Sequence, residues 1–159
     1  MNSISVNNKD YRIIKLLGKG KGGYSYLAEC GEKHVAVKQI HHEPCEYYTF
    51  GNKIEAERND YQRLLNAGIR IPEMFYIDIG NERIVKEYID GETIFDLVKN
   101  GESVAVDYFP TNFVVQKQNG LLYYIDYECN NYMDEWSFEN WGIKYWSRTP
   151  EFEAYLKQH

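Results

Sequence analysis

Three glycines near the start of the chain constrain its fold more than any other feature, because they separate two strand-like stretches. Gly18, Gly20 and Gly23 have the spacing G-x-G-x-x-G. The stretch 11–17 is rich in apolar residues and the stretch 24–29 alternates, so both predict β-strands. A dinucleotide-binding fingerprint requires a helix after its glycines. The spacing therefore predicts a hairpin whose backbone N–H groups cover nucleotide phosphates, since a Cβ would keep the backbone away from them.

The next strand and the first helix each carry one charged residue of interest. Lys38 lies near the end of a β-branched stretch that predicts a strand. The stretch 53–68 has the apolar period of a helix, and within it Glu57 shares the inward face with Tyr61. Glu55 instead shares a face with polar residues and is expected to be solvated. A buried acid needs a cation, so we predict an ion pair between Lys38 and Glu57.

Two aspartates and an asparagine are predicted to converge in the second half of the chain. Asp107 and Asn112 precede one strand of a hairpin whose turn is marked by Asn119-Gly120. Asp126 ends the other strand, so the hairpin returns it beside the loop from Asp107 to Asn112. Oxygen ligands of this kind suit Mg²⁺, which completes its shell with phosphates and water.

In chain order, these motifs resemble the protein-kinase-like superfamily over about residues 11–128. The segments DYFPTN (107–112) and IDYE (125–128) are similar to aminoglycoside and choline kinases. The segments RLLNAGIRIPEMFYID (63–78) and IVKEYIDGE (84–92) are similar to RIO-like and lipopolysaccharide-kinase-like families. The closest resemblance is therefore to the atypical branch of the superfamily.

The resemblance implies an α+β, protein-kinase-like fold in a truncated, minimal form. Residues 1–88 would form an N-lobe with a five-stranded antiparallel sheet and one helix. Residues 89–159 would form a much reduced C-lobe with the hinge, the catalytic loop, a metal-binding hairpin and a Trp-rich helical tail. The cofactors implied are ATP and Mg²⁺.

The resemblance also implies roles for individual residues. Asp107 would accept or orient the proton of the acceptor hydroxyl, and Lys38 would hold the α/β-phosphates while paired with Glu57. Asn112 and Asp126 would hold Mg²⁺. The nucleotide-binding residues implied in the N-lobe and hinge are Gly18, Gly20, Gly23, Lys38, Glu87 and Ile89.

The chain departs from the family pattern at several positions. Ala105 and the valine after it stand before Asp107, where the family has a histidine that supports the loop. Lys86 stands just before the hinge, where an apolar residue is usual. Two interpretations are open for it: an exposed strand lysine, or a lysine that reaches into the pocket. Asp107 follows Gly91 by only sixteen positions, and 33 residues of this sequence follow Asp126. We therefore expect a C-lobe without the usual set of helices.

Composition and charge limit the partners. The net charge of −6 argues against binding a nucleic-acid backbone, which needs a basic face. No apolar run approaches the ~20 residues of a membrane span, and no signal peptide is evident. Three cysteines without regular spacing do not form a disulfide framework, so we expect a cytoplasmic protein. Two alternatives are open for the apolar faces left by the missing lobe: the tryptophan-rich tail covers them, or a second subunit does, which favours a homodimer.

Two functions remain open. The first is a kinase that transfers the γ-phosphate of ATP to a hydroxyl of a protein Ser/Thr or a small molecule. It is favoured because all five polar positions of the family pattern are filled, at Lys38, Glu57, Asp107, Asn112 and Asp126. The second is a catalytically weak pseudokinase that acts as a nucleotide-binding regulator. The missing histidine and the missing acceptor-binding lobe favour this alternative.

Overall fold

A computed structural model describes residues 2–20, 22–44, 51–101, 109–127, 134–136 and 138–159. The chain divides into two units, Met1–Gly68 with Pro72–Tyr88, and Ile69–Ile71 with Ile89–His159. Assignment of residues 1–88 and 89–159 to kinase-like lobes stays a prediction. Within the described part of the chain, no helix has the length and apolar character needed to cross a membrane.

The first unit is built on a six-stranded antiparallel sheet with the order β1-β2-β3-β4-β6-β5. One helix, α1 (Lys53–Asn66), lies between β4 and β5 along the chain. The strands are β1 (Ser3–Val6), β2 (Lys9–Lys19), β3 (Gly23–Cys30), β4 (Lys33–Ile40), β5 (Met74–Asp78) and β6 (Arg83–Glu87).

The sheet has one strand more than the five expected from the sequence, because the sequence pattern does not predict β1. This strand has only four residues, and its two apolar side chains, Ile4 and Val6, give too short an alternation to stand out. The turn after it is formed by Asn7 and Asn8, both with positive φ (49° and 64°). Asparagine tolerates this conformation, so the two residues fit a tight hairpin between β1 and β2.

The two edges of the sheet are joined by polar contacts, so the sheet is curled. The backbone N–H of Asn7 donates to Asp78 Oδ2 at 2.9 Å, and its side-chain Nδ2 donates to the carbonyl of Ile77 at 3.1 Å. Arg83 Nη1 donates to the carbonyl of Ser5 at 2.7 Å. One face of the sheet encloses an apolar core made of Ile4, Val6, Tyr11, Ala28, Val35, Val37 and Val85.

We expect Asp78→Ala to lower the free energy of unfolding by about 1–3 kcal/mol, because Asp78 also accepts from the backbone and side chain of Asn81 at 3.0 Å. These bonds, from Asn81 and Asn7, hold the pKa of the Asp78 carboxyl below its ordinary value of 3.8. The stabilisation is therefore present above pH 3.8 and is lost as the pH falls. Urea unfolding measures the loss in Asp78→Ala, with the exposed Asp10→Ala as the control. An equal loss of unfolding free energy in both variants would contradict the role of Asp78.

The other face of the sheet packs against α1 through a second apolar cluster. Ile54 of the helix is buried with Ile40 and Ile84 of the sheet. The helix begins after Asn52, whose side chain accepts from the backbone N–H of Glu55 at 3.2 Å. Gly68, the expected helix stop, has a φ of +76° just beyond the last turn. This packing fixes which residues of α1 face the sheet.

The described residues of the second unit form a three-stranded antiparallel sheet with the order β7-β8-β9 and two short helices. The predicted hairpin at Asn119-Gly120 is present, with Gly120 at a φ of +70°. The elements are β7 (Gly91–Thr93), α2 (Ile94–Lys99), β8 (Phe113–Gln116), β9 (Leu122–Tyr124) and α3 (Pro150–Gln158). The core of this unit is made of Ile94, Phe113, Trp146 and Phe152.

The tryptophan-rich stretch is less regular than the helical tail expected from the sequence. Its described residues form two 3₁₀ turns, Asp134–Trp136 and Gly142–Tyr145, before α3 begins at its Thr149 cap. Trp146 is buried, whereas Trp136 is 54% exposed. The three tryptophans therefore do not form one core. Of the three, Trp146 is the one that belongs to the buried core of the second unit.

Candidate functional site

The sheet register places two lysines on the face that carries α1. In the antiparallel pair of β4 and β6, Ala36 lies opposite Lys86 and Lys38 lies opposite Ile84. Residues two apart on a strand point to the same face, so Lys38 and Lys86 share the face of Ile84. Ile84 packs with Ile54 of α1, and Glu57 follows one helical turn after Ile54. All three charged residues therefore meet between sheet and helix.

Glu57 contacts both lysines, one through each carboxylate oxygen. Its Oε2 lies 2.8 Å from Lys38 Nζ, and its Oε1 contacts Lys86 Nζ. Glu57 and Lys86 are buried, and the side chain of Lys38 is 18% exposed. The predicted ion pair of Lys38 with Glu57 is present, whereas its role in binding nucleotide stays a prediction.

The two lysines keep Glu57 ionised. Burial alone raises the pKa of its carboxyl, but the ammonium groups of Lys86 and Lys38 outweigh burial and lower this pKa from 4.5 to about 2. Glu57 is therefore an anion at neutral pH, although only 8% of its surface is exposed. A buried charge of this kind is tolerated only while its partners stay close.

Lys86 is a member of the site that the sequence did not assign. Of the two alternatives left open for it, the structure excludes the exposed strand lysine, because Lys86 is only 6% exposed. The sequence feature that indicates a buried Lys86 is its position in the apolar stretch of β6, two residues after buried Ile84. Its partner could not be read from the sequence, because three elements have to pack before Glu57 comes within reach.

The glycine hairpin lies next to Lys38. β2 ends at Lys19, β3 begins at Gly23, and the backbone N–H of Gly20 donates to the carbonyl of Gly23 at 2.9 Å. A Cβ on Gly23 would lie 2.8 Å from the carbonyl oxygen of Gln39 and 3.1 Å from Cε of Lys38. Gly23 is therefore required for β3 to approach β4 at the predicted phosphate-binding lysine.

We expect Gly23→Ala to lower the free energy of unfolding by about 1–3 kcal/mol, since the new methyl group overlaps backbone that cannot move independently. Gly18→Ala is the matched control, because nothing lies within 4 Å of a Cβ there and its φ is not positive. The control should stay within ~0.5 kcal/mol of wild type. Equal effects at the two glycines in chemical denaturation would contradict this reading of Gly23.

A polar loop after β4 is fastened to the glycine hairpin. Nε2 of His41 donates to the carbonyl of Gly20 at 2.9 Å, in the tautomer that leaves Nδ1 to accept from the backbone N–H of Glu43 at 3.2 Å. The carboxylate of Glu43 accepts from Tyr24 Oη at 2.7 Å and lies 3.0 Å from Lys19 Nζ. Sequence reasoning did not assign these contacts, because they join residues about twenty positions apart without a periodic pattern.

The two predicted hinge residues differ in their surroundings. Glu87 ends β6 opposite Val35, and its backbone N–H donates to the carbonyl of Glu73 at 2.8 Å. A backbone contact from Glu87 to an adenine would therefore use its carbonyl oxygen. Ile89 is buried within the second unit. Both adenine contacts stay predictions.

The hairpin of the second unit brings Asn112 and Asp126 near each other. Asn112 ends a 3₁₀ turn that begins at Pro110, and its carbonyl accepts from the backbone N–H of Ile125 at 2.8 Å. Asp126 is the next residue. The third predicted member, Asp107, lies outside the described residues. Among the residues that are described, no three His, Cys, Asp or Glu side chains are grouped as a metal site would require.

Aromatic side chains of the tail hold the residue before this 3₁₀ turn. The ring centroid of Phe109 lies 5.5 Å from that of Trp141, 5.1 Å from that of Tyr145 and 5.2 Å from that of Tyr155. Such pairs add to the apolar contact when the rings meet edge to face or offset. The aromatic tail thus packs around Phe109.

The curled antiparallel sheet, the few helices and the buried lysine–glutamate pair are compatible with a reduced protein-kinase-like fold. No family model matches the sequence. Over 79 residues the chain is 33% identical to a protein of Dictyostelium discoideum named EKC/KEOPS complex subunit bud32. The match covers 49% of this chain and only 31% of that relative. It supports the protein-kinase-like superfamily without selecting a branch.

Proposed function

We propose that the protein is an ATP- and Mg²⁺-dependent kinase of the atypical branch, which transfers the γ-phosphate to a hydroxyl acceptor. The observation that carries the proposal is the buried pair of Lys38 with Glu57, beside a glycine hairpin that a Cβ on Gly23 would obstruct. Phosphoryl transfer depends on positioning and on neutralising phosphate charge, which a fixed lysine provides. The similarity to bud32 supports the kinase-like class.

In the proposed site, the glycine hairpin and Lys38 bind the phosphates, and Glu57 orients Lys38. The oxygen of the acceptor hydroxyl attacks the γ-phosphorus, the bond to the β–γ bridging oxygen breaks, and the hydroxyl proton passes to Asp107. The side-chain oxygens of Asn112 and Asp126 are the donor type that Mg²⁺ prefers, and their hairpin brings the two residues near each other. Bound Mg²⁺ would neutralise phosphate charge.

A nucleotide-binding regulator without turnover is the second candidate. It is favoured by Ala105 and Val106, which replace the histidine that usually supports the catalytic aspartate. The short connection from Gly91 to Asp107 also leaves little protein to bind an acceptor. The two candidates share the nucleotide site and differ in the role of Asp107.

Measurement of Mg-ATP binding together with ATP turnover separates these functions, using wild type and Asp107→Asn. A kinase binds Mg-ATP and turns it over, and Asp107→Asn keeps binding but loses turnover by about 10²–10⁴-fold. A regulator binds Mg-ATP equally well in both proteins and turns over in neither, whichever acceptor is added. Absence of binding by the folded wild type would contradict both functions.

The acceptor and the partners form the finer part of the proposal. The motif DYFPTN favours a small-molecule hydroxyl, and a protein Ser/Thr is the alternative. The relative is named as a subunit of a complex, which supports a protein partner. A homodimer is supported by three exposed apolar side chains of β2, namely Ile14, Leu16 and Leu17. Measurement of the molecular mass in solution at several protein concentrations tests it.

A further inference from the structure

Lys86 has a place in the candidate site that the proposed roles leave unexplained. It stands directly before Glu87, is 6% exposed and contacts Oε1 of Glu57, while Lys38 lies 2.8 Å from Oε2. Each oxygen of one buried carboxylate therefore has its own ammonium group. The ion pair of Glu57 with Lys38 is sufficient to orient Lys38. The contact of Lys86 with Glu57 therefore indicates a further role for Lys86.

The register explains how Lys86 reaches Glu57. Lys86 and Lys38 lie on neighbouring strands, on one face of the sheet, displaced by two residues. The residue opposite Lys86 is Ala36, whose small side chain leaves room for a long neighbour on this face. Lys86 therefore reaches Glu57 from β6, a different strand from the one that carries Lys38.

The need for two lysines follows from what Lys38 has to do. When its ammonium is shared between Glu57 and a nucleotide phosphate, it neutralises Glu57 less completely. Glu57 is only 8% exposed, and a buried carboxylate that loses its cation is strongly disfavoured. With a single lysine, this loss would oppose the binding of the phosphate. Lys86, which contacts Oε1 of Glu57, supplies the positive charge that Lys38 then shares with the phosphate.

Resting on the proposed function, we propose that Lys86 is a positioning residue that holds Glu57 ionised and oriented while Lys38 engages the nucleotide phosphates. Lys86 acts on the nucleotide through Glu57 and Lys38 and does not touch it. Its removal should therefore weaken Mg-ATP binding only when Lys38 is present. This dependence distinguishes positioning from a direct contact and from a purely structural contribution.

The test is a double-mutant cycle on Mg-ATP affinity, measured by calorimetry on the full chain. Lys86→Met should raise the Kd for Mg-ATP by about tenfold, because a charge-assisted contact is lost. In the Lys38→Met background, the same substitution should change the Kd by less than about twofold, since it acts through Lys38. If wild type turns over ATP, KM should rise with Kd, whereas kcat should change little.

Two further variants protect the test against a general loss of structure. Lys86→Arg keeps a cation beside Glu57 and should restore the Kd to within about threefold of wild type. Lys33→Met removes the same charge from an exposed position at the other end of β4, and should bind Mg-ATP like wild type. If Lys86→Met does not fold, Lys86→Gln, which retains a donor for Glu57, takes its place in the cycle.

Three results would overturn the inference in distinguishable ways. An unchanged Kd in folded Lys86→Met would show that Lys86 has no part in binding. An equal loss with and without Lys38 would make Lys86 a direct nucleotide ligand. Absence of Mg-ATP binding by the wild type would instead overturn the proposed function, and this inference with it.

Discussion

Glu57→Gln is expected to lower the free energy of unfolding by ~3–5 kcal/mol, the largest stability effect of any single substitution considered for this chain. The carboxylate lies between Lys38 and Lys86 and contacts both. An amide is nearly isosteric but carries no charge, so the buried ammonium of Lys86 and the partly buried one of Lys38 lose the anion they share. The measurement is urea unfolding at neutral pH, followed by fluorescence and circular dichroism.

The same helix offers a matched control two residues earlier. Glu55 forms an ion pair with Arg58 at 2.7 Å, but its side chain is 35% exposed. Exposed pairs contribute little, so Glu55→Gln should change the free energy of unfolding by less than ~1 kcal/mol. A loss at Glu55 as large as that at Glu57 would contradict the role assigned to the buried carboxylate.

The stability difference between wild type and Glu57→Gln should depend on pH. The pKa of Glu57 is about 2 in the folded protein against an ordinary value of 4.5, so the folded state favours the ionised form. For a lowered pKa, the stabilisation is complete above pH 4.5 and declines as the pH falls toward 2. The two unfolding curves should therefore approach each other over this range; a constant difference would contradict the charge-based explanation.

Lys38→Met is expected to reduce ATP turnover by about 10²–10³-fold, the scale seen when one group that stabilises transition-state charge is removed. Lys38 is 18% exposed, in contrast to the more deeply buried Lys86, so it is the lysine with access to a ligand. The fold should tolerate this variant better than Glu57→Gln, because Lys86 still contacts Glu57. Steady-state turnover and a thermal melt measure the two effects.

Lys33→Met is the control for the loss of one positive charge from β4. Lys33 lies 4.0 Å from the ring centroid of Phe75, at the end of the strand away from the glycine hairpin. Its removal should leave turnover within about twofold of wild type, because it lies outside the proposed site. Equal turnover of Lys38→Met and wild type would remove Lys38 from the catalytic proposal.

The parts of the site that the sequence predicted are those set by local patterns. The helical period distinguished Glu57 from Glu55, and in the structure Glu57 is 8% exposed while the side chain of Glu55 is 35% exposed. The Asn119-Gly120 pair predicted the hairpin of the second unit, because glycine readily adopts the positive φ that Gly120 has in the turn. Periodicity and turn chemistry act over a few residues, so they can be read without the fold.

The parts that the sequence did not predict depend on contacts between distant residues. Strand β1 is defined by its pairing with β2 and by the bonds of Asn7 to Asp78, about seventy positions away. Lys86 became part of the site because β4, β6 and α1 meet around Glu57. A lysine in an apolar strand signals that a partner exists, but only the packing identifies the partner.

Titration of the folded wild-type protein with Mg-ATP in a calorimeter tests most directly whether the glycine hairpin, Lys38 and Glu57 form a nucleotide site. We predict saturable binding of one nucleotide per chain, weakened when Mg²⁺ is removed by a chelator. In the presence of Mg²⁺, Lys38→Met should bind ATP more weakly than wild type, and Lys33→Met should bind it with the same affinity as wild type. No binding by the folded wild type, or equal affinity in Lys38→Met, would contradict the site.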